Sequence, residues 1–288
     1  MKGIVLAAGK GTRLYPVTKP ICKPLLPLYD KPMIYYPLSI LMMAGIRDIL
    51  VIVPPDDEEP FKKLLGDGSQ FGISITYKEQ KVQRGIADAF LVGEEFIADD
   101  SVCLALGDNL FYGDGMEECL AKACANTNGA TVFGYYVEDP RPFGVVEFDE
   151  NLKAVSIEEK PENPKSNYIV PGLYFYDNNV VEIAKNVKPS ARGELEITSV
   201  NNDYLAQGKL NVVTFGEEYE WRDTGTADSL VDAAVLVRDI QKRTGKQLAC
   251  LEEIAFEKGW ITAQQLKSLG EQMKATTYGQ YLLKLAEK

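Results

Sequence analysis

Ile4-Val5-Leu6-Ala7-Ala8-Gly9-Lys10-Gly11-Thr12-Arg13-Leu14 runs an apolar strand straight into a turn holding glycines and cations. A strand ending in such a turn exposes several backbone N–H groups at one point, the arrangement that cradles phosphate oxygens. Arg13 adds full charge there, and the segment Lys19-Pro20-Ile21-Cys22-Lys23-Pro24-Leu25-Leu26-Pro27 adds Lys23 soon after. Two familiar phosphate loops do not fit. The P-loop run GxxxxGK[ST] is missing, and the dinucleotide fingerprint needs a further glycine where Leu14 stands.

Charge concentrates around this turn. Residues 1–47 hold Lys2, Lys10, Arg13, Lys19, Lys23, Lys31 and Arg47 against Asp30 alone, although the chain of 288 residues carries a net charge of -11. An acidic protein with one basic focus suits a small polyanion better than a nucleic-acid backbone, which needs an extended basic face. Histidine is absent, which removes Ser-His-Asp and Cys-His catalysis, His-ligated zinc and imidazole bases. Any chemistry rests on carboxylates, Lys, Arg and an oxygen-ligated metal. The cysteines Cys22, Cys103, Cys119, Cys124 and Cys250 are scattered and odd in number, which points to reduced thiols and a cytoplasmic location. No stretch reaches the ~18 apolar residues of a membrane helix, and the run Ile4 to Ala8 is too short for a signal peptide.

Outward from the first strand the pattern predicts an alternation. A helix starts near Pro32 and stops at Gly45. A strand over Ile49–Val53, a helix near Glu59–Leu65, a strand over Ile73–Tyr77, a helix over Ala87–Phe96 and a strand over Val102–Leu106 follow. Further strands are expected over Ala130–Val137, Val145–Phe148, Ala154–Glu158, Ile169–Tyr176 and Val212–Phe215, with helices over Val180–Asn186 and Leu195–Gln207. The expected fold class is α/β: a mostly parallel, mixed central sheet with helices on both faces. One α/β domain over 1–225 and a helical extension over 226–288 are expected.

Two aspartates stand where such sheets bind ligands. Asp108 follows the strand Val102–Leu106 in Gly107-Asp108-Asn109, and Asp223 lies in Trp221-Arg222-Asp223-Thr224-Gly225 at a change from strand to helix. Each reads equally as a turn or cap residue or as a ligand for Mg²⁺, which takes one or two carboxylates beside phosphates and waters.

The opening turn and Lys-Pro-x-x-Lys-Pro-Leu-Leu-Pro resemble the start of the sugar-1-phosphate nucleotidyltransferases, a family with a Rossmann-like nucleotidyltransferase fold. The resemblance narrows to the short bacterial glucose-1-phosphate thymidylyltransferases through Tyr29 to Ser39, Leu106-Gly107-Asp108-Asn109-Leu110-Phe111-Tyr112-Gly113, Glu158-Glu159-Lys160-Pro161, Ser190 to Thr198, Trp221 to Thr226 and Tyr278 to Leu283. It covers essentially the whole chain in order.

The resemblance implies nucleotidyl transfer from dTTP, with UTP a close competitor, to glucose 1-phosphate. It implies Mg²⁺ on Asp108 and Asp223, and catalysis by Arg13, Lys23, Asp108, Lys160 and Asp223. Ala8, Gly9, Gly11, Thr12 and Arg13 would meet the nucleotide, and Gln80 and Gly85 the pyrimidine. An amide suits a pyrimidine's imide edge because it offers a donor and an acceptor. Gly144, Glu159, Lys160, Gly172 and Arg192 would meet the sugar phosphate. A homotetramer is implied too, with no nucleic-acid or membrane partner. A second nucleotide site would lie near Tyr112-Gly113 and Gly245 to Ile254. Departures from the family pattern are Ala8, Cys22, Pro24, the loop Gln80 to Gly85, Pro171, Gln247 where Lys is usual, and Leu251 where Pro is usual.

Overall fold

The computed structural model describes residues 1–287. Strand β1 (Lys2–Leu6) alternates as a strand with two buried faces must. Ile4 packs with Phe90 in one core and Val5 with Leu38 in the other, and both are fully buried. After the turn come a short hairpin, β2 (Pro27–Leu28) with β3 (Lys31–Pro32), and helix α1 (Tyr35–Met43). Then follow β4 (Asp48–Val53), α2 (Glu58–Leu65), β5 (Ser74–Glu79), α3 (Asp88–Val92), α4 (Glu94–Ile97) and β6 (Val102–Leu106).

The middle of the chain supplies β7 (Asn109–Gly113), α5 (Met116–Ala125), β8 (Ala130–Tyr136), β9 (Gly144–Phe148), β10 (Ala154–Glu159), β11 (Tyr168–Ile169) and β12 (Leu173–Tyr176). Helices α6 (Val180–Asn186) and α7 (Ile197–Ala206) precede β13 (Leu210–Thr214) and β14 (Tyr219–Asp223). The chain closes with α8 (Ala227–Thr244), α9 (Leu251–Glu257), α10 (Ala263–Gln272) and α11 (Thr277–Ala286). None of these helices is long and apolar enough to cross a membrane.

The main sheet runs β10-β9-β11-β8-β12-β6-β1-β4-β5, with β13 also paired to β8. β5, β4, β1 and β6 are parallel neighbours, and β8, β9 and β13 share their direction. β10, β11 and β12 run against them, so the sheet is mixed and mostly parallel in strand direction. One face is covered by α1, α2, α5, α9 and α11 through Leu38, Phe61, Leu120, Leu251 and Leu282, the other by α3, α6 and α7 through Phe90, Val181 and Val200. A smaller cluster joins Leu14, Leu26 and Met33 to Ala233 and Val237, so α8 supports the loop that carries Arg13 and Lys23. β7 and β14 stand apart as a two-stranded ribbon.

Three local expectations differ from the structure. Pro32 closes the β2–β3 hairpin rather than opening α1, because Tyr29 takes φ 65° and turns the chain back on itself. Gly93 interrupts the helix expected over Ala87–Phe96: a Cβ there would lie 3.0 Å from the Ala89 carbonyl and 3.0 Å from Ile4. Pro171-Gly172 splits the strand expected over Ile169–Tyr176 into β11 and β12. Helix α5 has no counterpart in the sequence reading.

Candidate active site

The turn after β1 brings Ala8, Gly9, Gly11, Thr12 and Arg13 to the carboxyl ends of the parallel strands. Gly11 takes φ 60°, and a Cβ there would approach Thr18 to 3.0 Å and Lys23 to 3.1 Å, while Thr18 Oγ1 donates to its carbonyl at 2.6 Å. The loop after β5 closes against this turn, with Gln83 Nε2 donating to the Ala8 carbonyl. Gln80 is buried and donates Nε2 to Asp88 Oδ2 at 2.8 Å, and Arg84 pairs with the other oxygen of Asp88 at 2.7 Å. Gly85 takes φ 109°, and a Cβ there would meet the Leu195 carbonyl at 2.5 Å and amide at 2.7 Å. The segments carrying Gln80 and Gly85 thus close beside the turn, with the Gln80 amide anchored from inside.

Asp108 and Asp223 come together through the ribbon. Asp108 immediately precedes β7, Asp223 ends β14, and Asn109 pairs with Asp223 across the two strands. Thr224 clamps the Asp108 carbonyl with its amide at 3.3 Å and its hydroxyl at 2.9 Å. Lys23 Nζ lies 2.6 Å from Asp108 Oδ2 and 3.9 Å from Asp223 Oδ1, with its side chain only 6% exposed. Burial, and then the charge of Asp108, push the Asp223 carboxyl up to about 6; Lys23, Arg13 and Lys160 pull the other way. Arg13 reaches the same point, since a Cβ on Gly225 would lie 2.7 Å from Asp223 Oδ2 and 3.1 Å from the Arg13 guanidinium.

This donor set fits a hard divalent cation. The two carboxylates offer oxygen alone, and Asp223 is raised first by burial and then by the charge of Asp108. No group of three or more Asp, Glu, Cys or His able to hold a metal exists among the described residues. A cation here would complete its shell with phosphate and water, as Mg²⁺ does.

Beside the carboxylates opens a cleft of about 510 Å³. Arg13, Asp108, Asp223, Gly144, Glu159, Lys160 and Gly172 all line it. Gly172 has no room for a side chain: a Cβ would meet Leu106 at 2.6 Å and Asn109 Oδ1 at 2.8 Å. Lys160 follows β10 with φ 46°, a left-handed backbone uncommon for a non-glycine residue, and its amide donates to the Phe143 carbonyl at 2.9 Å. Glu159 accepts from Thr198 Oγ1 at 2.5 Å and from Arg192 at 3.2 Å. Arg192 stands behind Glu159 rather than on the cleft wall and is bound further by Glu196 at 2.9 Å.

Sequence reasoning did not assign Asn109, Tyr174, Thr198, Asn201 or Trp221, which also line the cleft. Asn109 organises one wall: its Oδ1 accepts from Gly172 N at 3.1 Å and Trp221 Nε1 at 2.7 Å, and its Nδ2 donates to Asp108 at 2.9 Å. Asn109, Thr198 and Trp221 stood inside stretches already quoted as motifs; Tyr174 and Asn201 carried no signal beyond the strand and helix that hold them.

A second pocket of about 190 Å³ lies between α1, β7 and α9. Tyr112, Gly113, Lys246, Gln247 and Cys250 line it, so the two separated segments expected there do meet. Gln247 Oε1 is buried in it with no hydrogen-bond partner among the described residues.

Known proteins resemble this chain over most or all of its length. The nucleotidyl transferase family model matches residues 2–240. A glucose-1-phosphate thymidylyltransferase of Neisseria meningitidis serogroup A is 58% identical over 288 residues, 100% of both chains. One from Mycobacterium tuberculosis is 52% identical over 288 residues, again 100% of both. A solved Bacillus anthracis structure, assigned as a glucose-1-phosphate thymidylyltransferase and complexed with sucrose, superposes with a TM-score of 0.77 at 43% identity, covering 83% of this chain and 96% of its own. A UDP-glucose pyrophosphorylase complexed with UDP-glucose shares the fold, with a TM-score of 0.72 at 24% identity over 83% of this chain and 98% of its own. With its parallel half-sheet, glycine turn and paired carboxylates, this chain belongs to the nucleotidyl transferase family, among the glucose-1-phosphate thymidylyltransferases.

Proposed function

We propose that the chain transfers the thymidylyl group of dTTP to glucose 1-phosphate, releasing pyrophosphate and dTDP-glucose for deoxysugar synthesis. The observation that carries this reading is the Lys23-bridged pair Asp108 and Asp223, opening onto a cleft whose other wall holds Lys160 and Glu159. A phosphate oxygen of the sugar forms the new bond to the α-phosphorus while the bond to the pyrophosphate oxygen breaks. That oxygen is already anionic at neutral pH, so no general base is required, in keeping with a chain without histidine.

The protein's task is to hold two mutually repelling anions in line and to offset charge as it shifts. Arg13 faces the triphosphate from the opening turn, and Lys160 meets the incoming sugar phosphate. Lys23 holds the carboxylates together and adds positive charge beside the reacting phosphorus. Mg²⁺, held by Asp108 and Asp223, would supply charge neutralisation on the triphosphate. Gln80, its Nε2 already spent on Asp88, and Gly85 belong to the loop that closes against the nucleotide turn on the side of the base, and Gly144, Glu159 and Gly172 would meet the sugar, with Arg192 fixing Glu159.

A pyrophosphate-release assay with glucose 1-phosphate and each nucleoside triphosphate tests the reading. Mg²⁺-dependent release that is fastest with dTTP is expected; faster release with UTP reassigns the donor, and no release with any donor removes the activity. A cytoplasmic homotetramer whose second pocket binds the end-product nucleotide sugar completes the proposal. Light scattering that finds a monomer at micromolar concentration would count against the assembly.

A further inference from the structure

Almost every buried polar side chain on the cleft wall has its hydrogen bonds made. Asn109 uses both ends of its amide, on Gly172, Trp221 and Asp108, and Thr198 donates to Glu159. Asn201 is the exception. It sits on α7 one turn after Thr198, lines the cleft, and is 1% exposed. Its Oδ1 accepts from the Tyr176 hydroxyl at 2.6 Å. Its Nδ2 is buried and has no partner among the described residues.

The side chain is also fixed where it stands. Tyr176 is stacked against Tyr174 at 6.3 Å and against Tyr204 at 5.5 Å, and the Tyr204 hydroxyl donates to buried Asp177 at 2.6 Å. Turning the amide over would let Nδ2 donate to the Tyr176 hydroxyl, but it would leave that hydroxyl's own hydrogen and the Asn201 Oδ1 without partners among the described residues, so the donor stays turned away from Tyr176. A donor withdrawn from water and left unmade costs more than an ordinary hydrogen bond gains, so a retained one calls for a ligand atom. The ligand class follows from the cleft. Charge in the cleft is carried by Asp108, Asp223, Glu159, Arg13 and Lys160, whereas α7 contributes Ile197, Thr198 and Asn201, none of them charged. A neutral oxygen acceptor belongs there.

We infer that Asn201 Nδ2 donates to one ring hydroxyl of the bound hexose phosphate and is a specificity-determining residue for the sugar. This rests on the proposed reaction, and the test separates the two. A site that hydrogen-bonds a substrate hydroxyl rejects the analogue lacking it, because the protein's own polar group is then left unpaired.

The experiment measures kcat/KM for glucose 1-phosphate and for its 2-, 3-, 4- and 6-deoxy analogues, in the wild type and in Asn201→Asp. This variant keeps an acceptor for Tyr176 and removes the donor. Asn201→Ser serves if the carboxylate prevents folding, with circular dichroism and melting confirming the fold of each. The wild type is expected to penalise one deoxy analogue by roughly 10- to 100-fold, and the variant to lose that penalty at that position alone, with the KM for dTTP little changed. A folded variant that keeps every wild-type penalty, or loses all of them equally, overturns the assignment. Wild-type protein inactive on glucose 1-phosphate itself would instead overturn the reaction on which the assignment rests.

Discussion

Lys23 Nζ and Asp108 Oδ2 stand 2.6 Å apart across 85 residues of sequence. The contact ties the second basic loop to the turn that carries Asp108 and leaves Asp223, 3.9 Å from the same ammonium, as the more distant carboxylate. Replacing either aspartate by asparagine preserves turn geometry but weakens the cation site. Asp108→Asn and Asp223→Asn are each expected to lose ~10²–10³ in turnover while melting near the wild-type temperature. Near wild-type rates at limiting Mg²⁺ in both variants would place the metal elsewhere.

The value of about 6 for Asp223 gives a pH dependence. Its folded value is raised above the ordinary carboxylate value of 3.8, so the metal-free fold favours the protonated form. That contribution to stability is fully present below the unfolded value and is lost as pH rises through about 6. A cation binds the deprotonated form, so the rise in melting temperature caused by Mg²⁺ should be larger at neutral pH and shrink as pH falls through about 6. A pH-independent Mg²⁺ shift, or an unaltered profile in Asp223→Asn, contradicts this.

Lys160 combines a charge with a left-handed backbone at φ 46°. Lys160→Ala is expected chiefly to raise the KM for glucose 1-phosphate, because in the proposed reaction the side chain meets a charge present beforehand. Arg13→Ala should chiefly lower kcat, because charge shifts toward it during reaction. Lys160→Gly separates the two properties: it should lose sugar-phosphate affinity as the alanine variant does, yet melt higher than that variant by relieving the backbone. Equal KM defects in the Arg13 and Lys160 variants would refute this division of roles.

Gly85→Ala places a methyl 2.5 Å from the Leu195 carbonyl on a backbone at φ 109°. A loss of about 1–3 kcal/mol in stability is expected, together with a raised KM for dTTP as the loop moves off the Ala8 turn. Denaturant melts and steady-state kinetics report the two effects; an unchanged KM would separate Gly85 from the nucleotide.

In the second pocket Gln247 presents a neutral amide, and its Oε1 is buried without a partner among the described residues. Inhibition by dTDP-sugars is expected to be present but weak. Gln247→Lys should strengthen it about tenfold by adding a charge-assisted bond to an anionic effector. Purely competitive inhibition with a single bound nucleotide sugar per subunit would remove the second site.

The legible parts of this molecule were those fixed by a few adjacent residues. The strand into Gly9 and Gly11, the turn at Asp108 and the strand end at Asp223 all declare themselves locally, through apolar runs meeting glycine or aspartate. What stayed hidden depends on contacts between distant segments. Pro32 looks like a helix start until Pro27 is seen opposite it, and Gly93 looks like a helix residue until Ile4 is packed beneath it. Trp221 stands in a quoted motif, yet nothing there tells that its indole N–H fixes Asn109 across 112 residues. Asn201 reads as an ordinary polar position on a helix, because nothing in sequence reports that its neighbours leave its amide nitrogen without an acceptor among the described residues.

The β7–β14 ribbon also orders events in time during protein synthesis. The parallel strands β1, β4, β5 and β6 are complete by Leu106, and Asp108 emerges from the ribosome directly after them. Its partner strand begins only at Tyr219. A nascent chain that has not yet reached β14 carries the glycine turn and Asp108 but not the carboxylate that faces it. The ribbon thus makes activity a late acquisition, withheld until nearly the whole α/β layer has been translated.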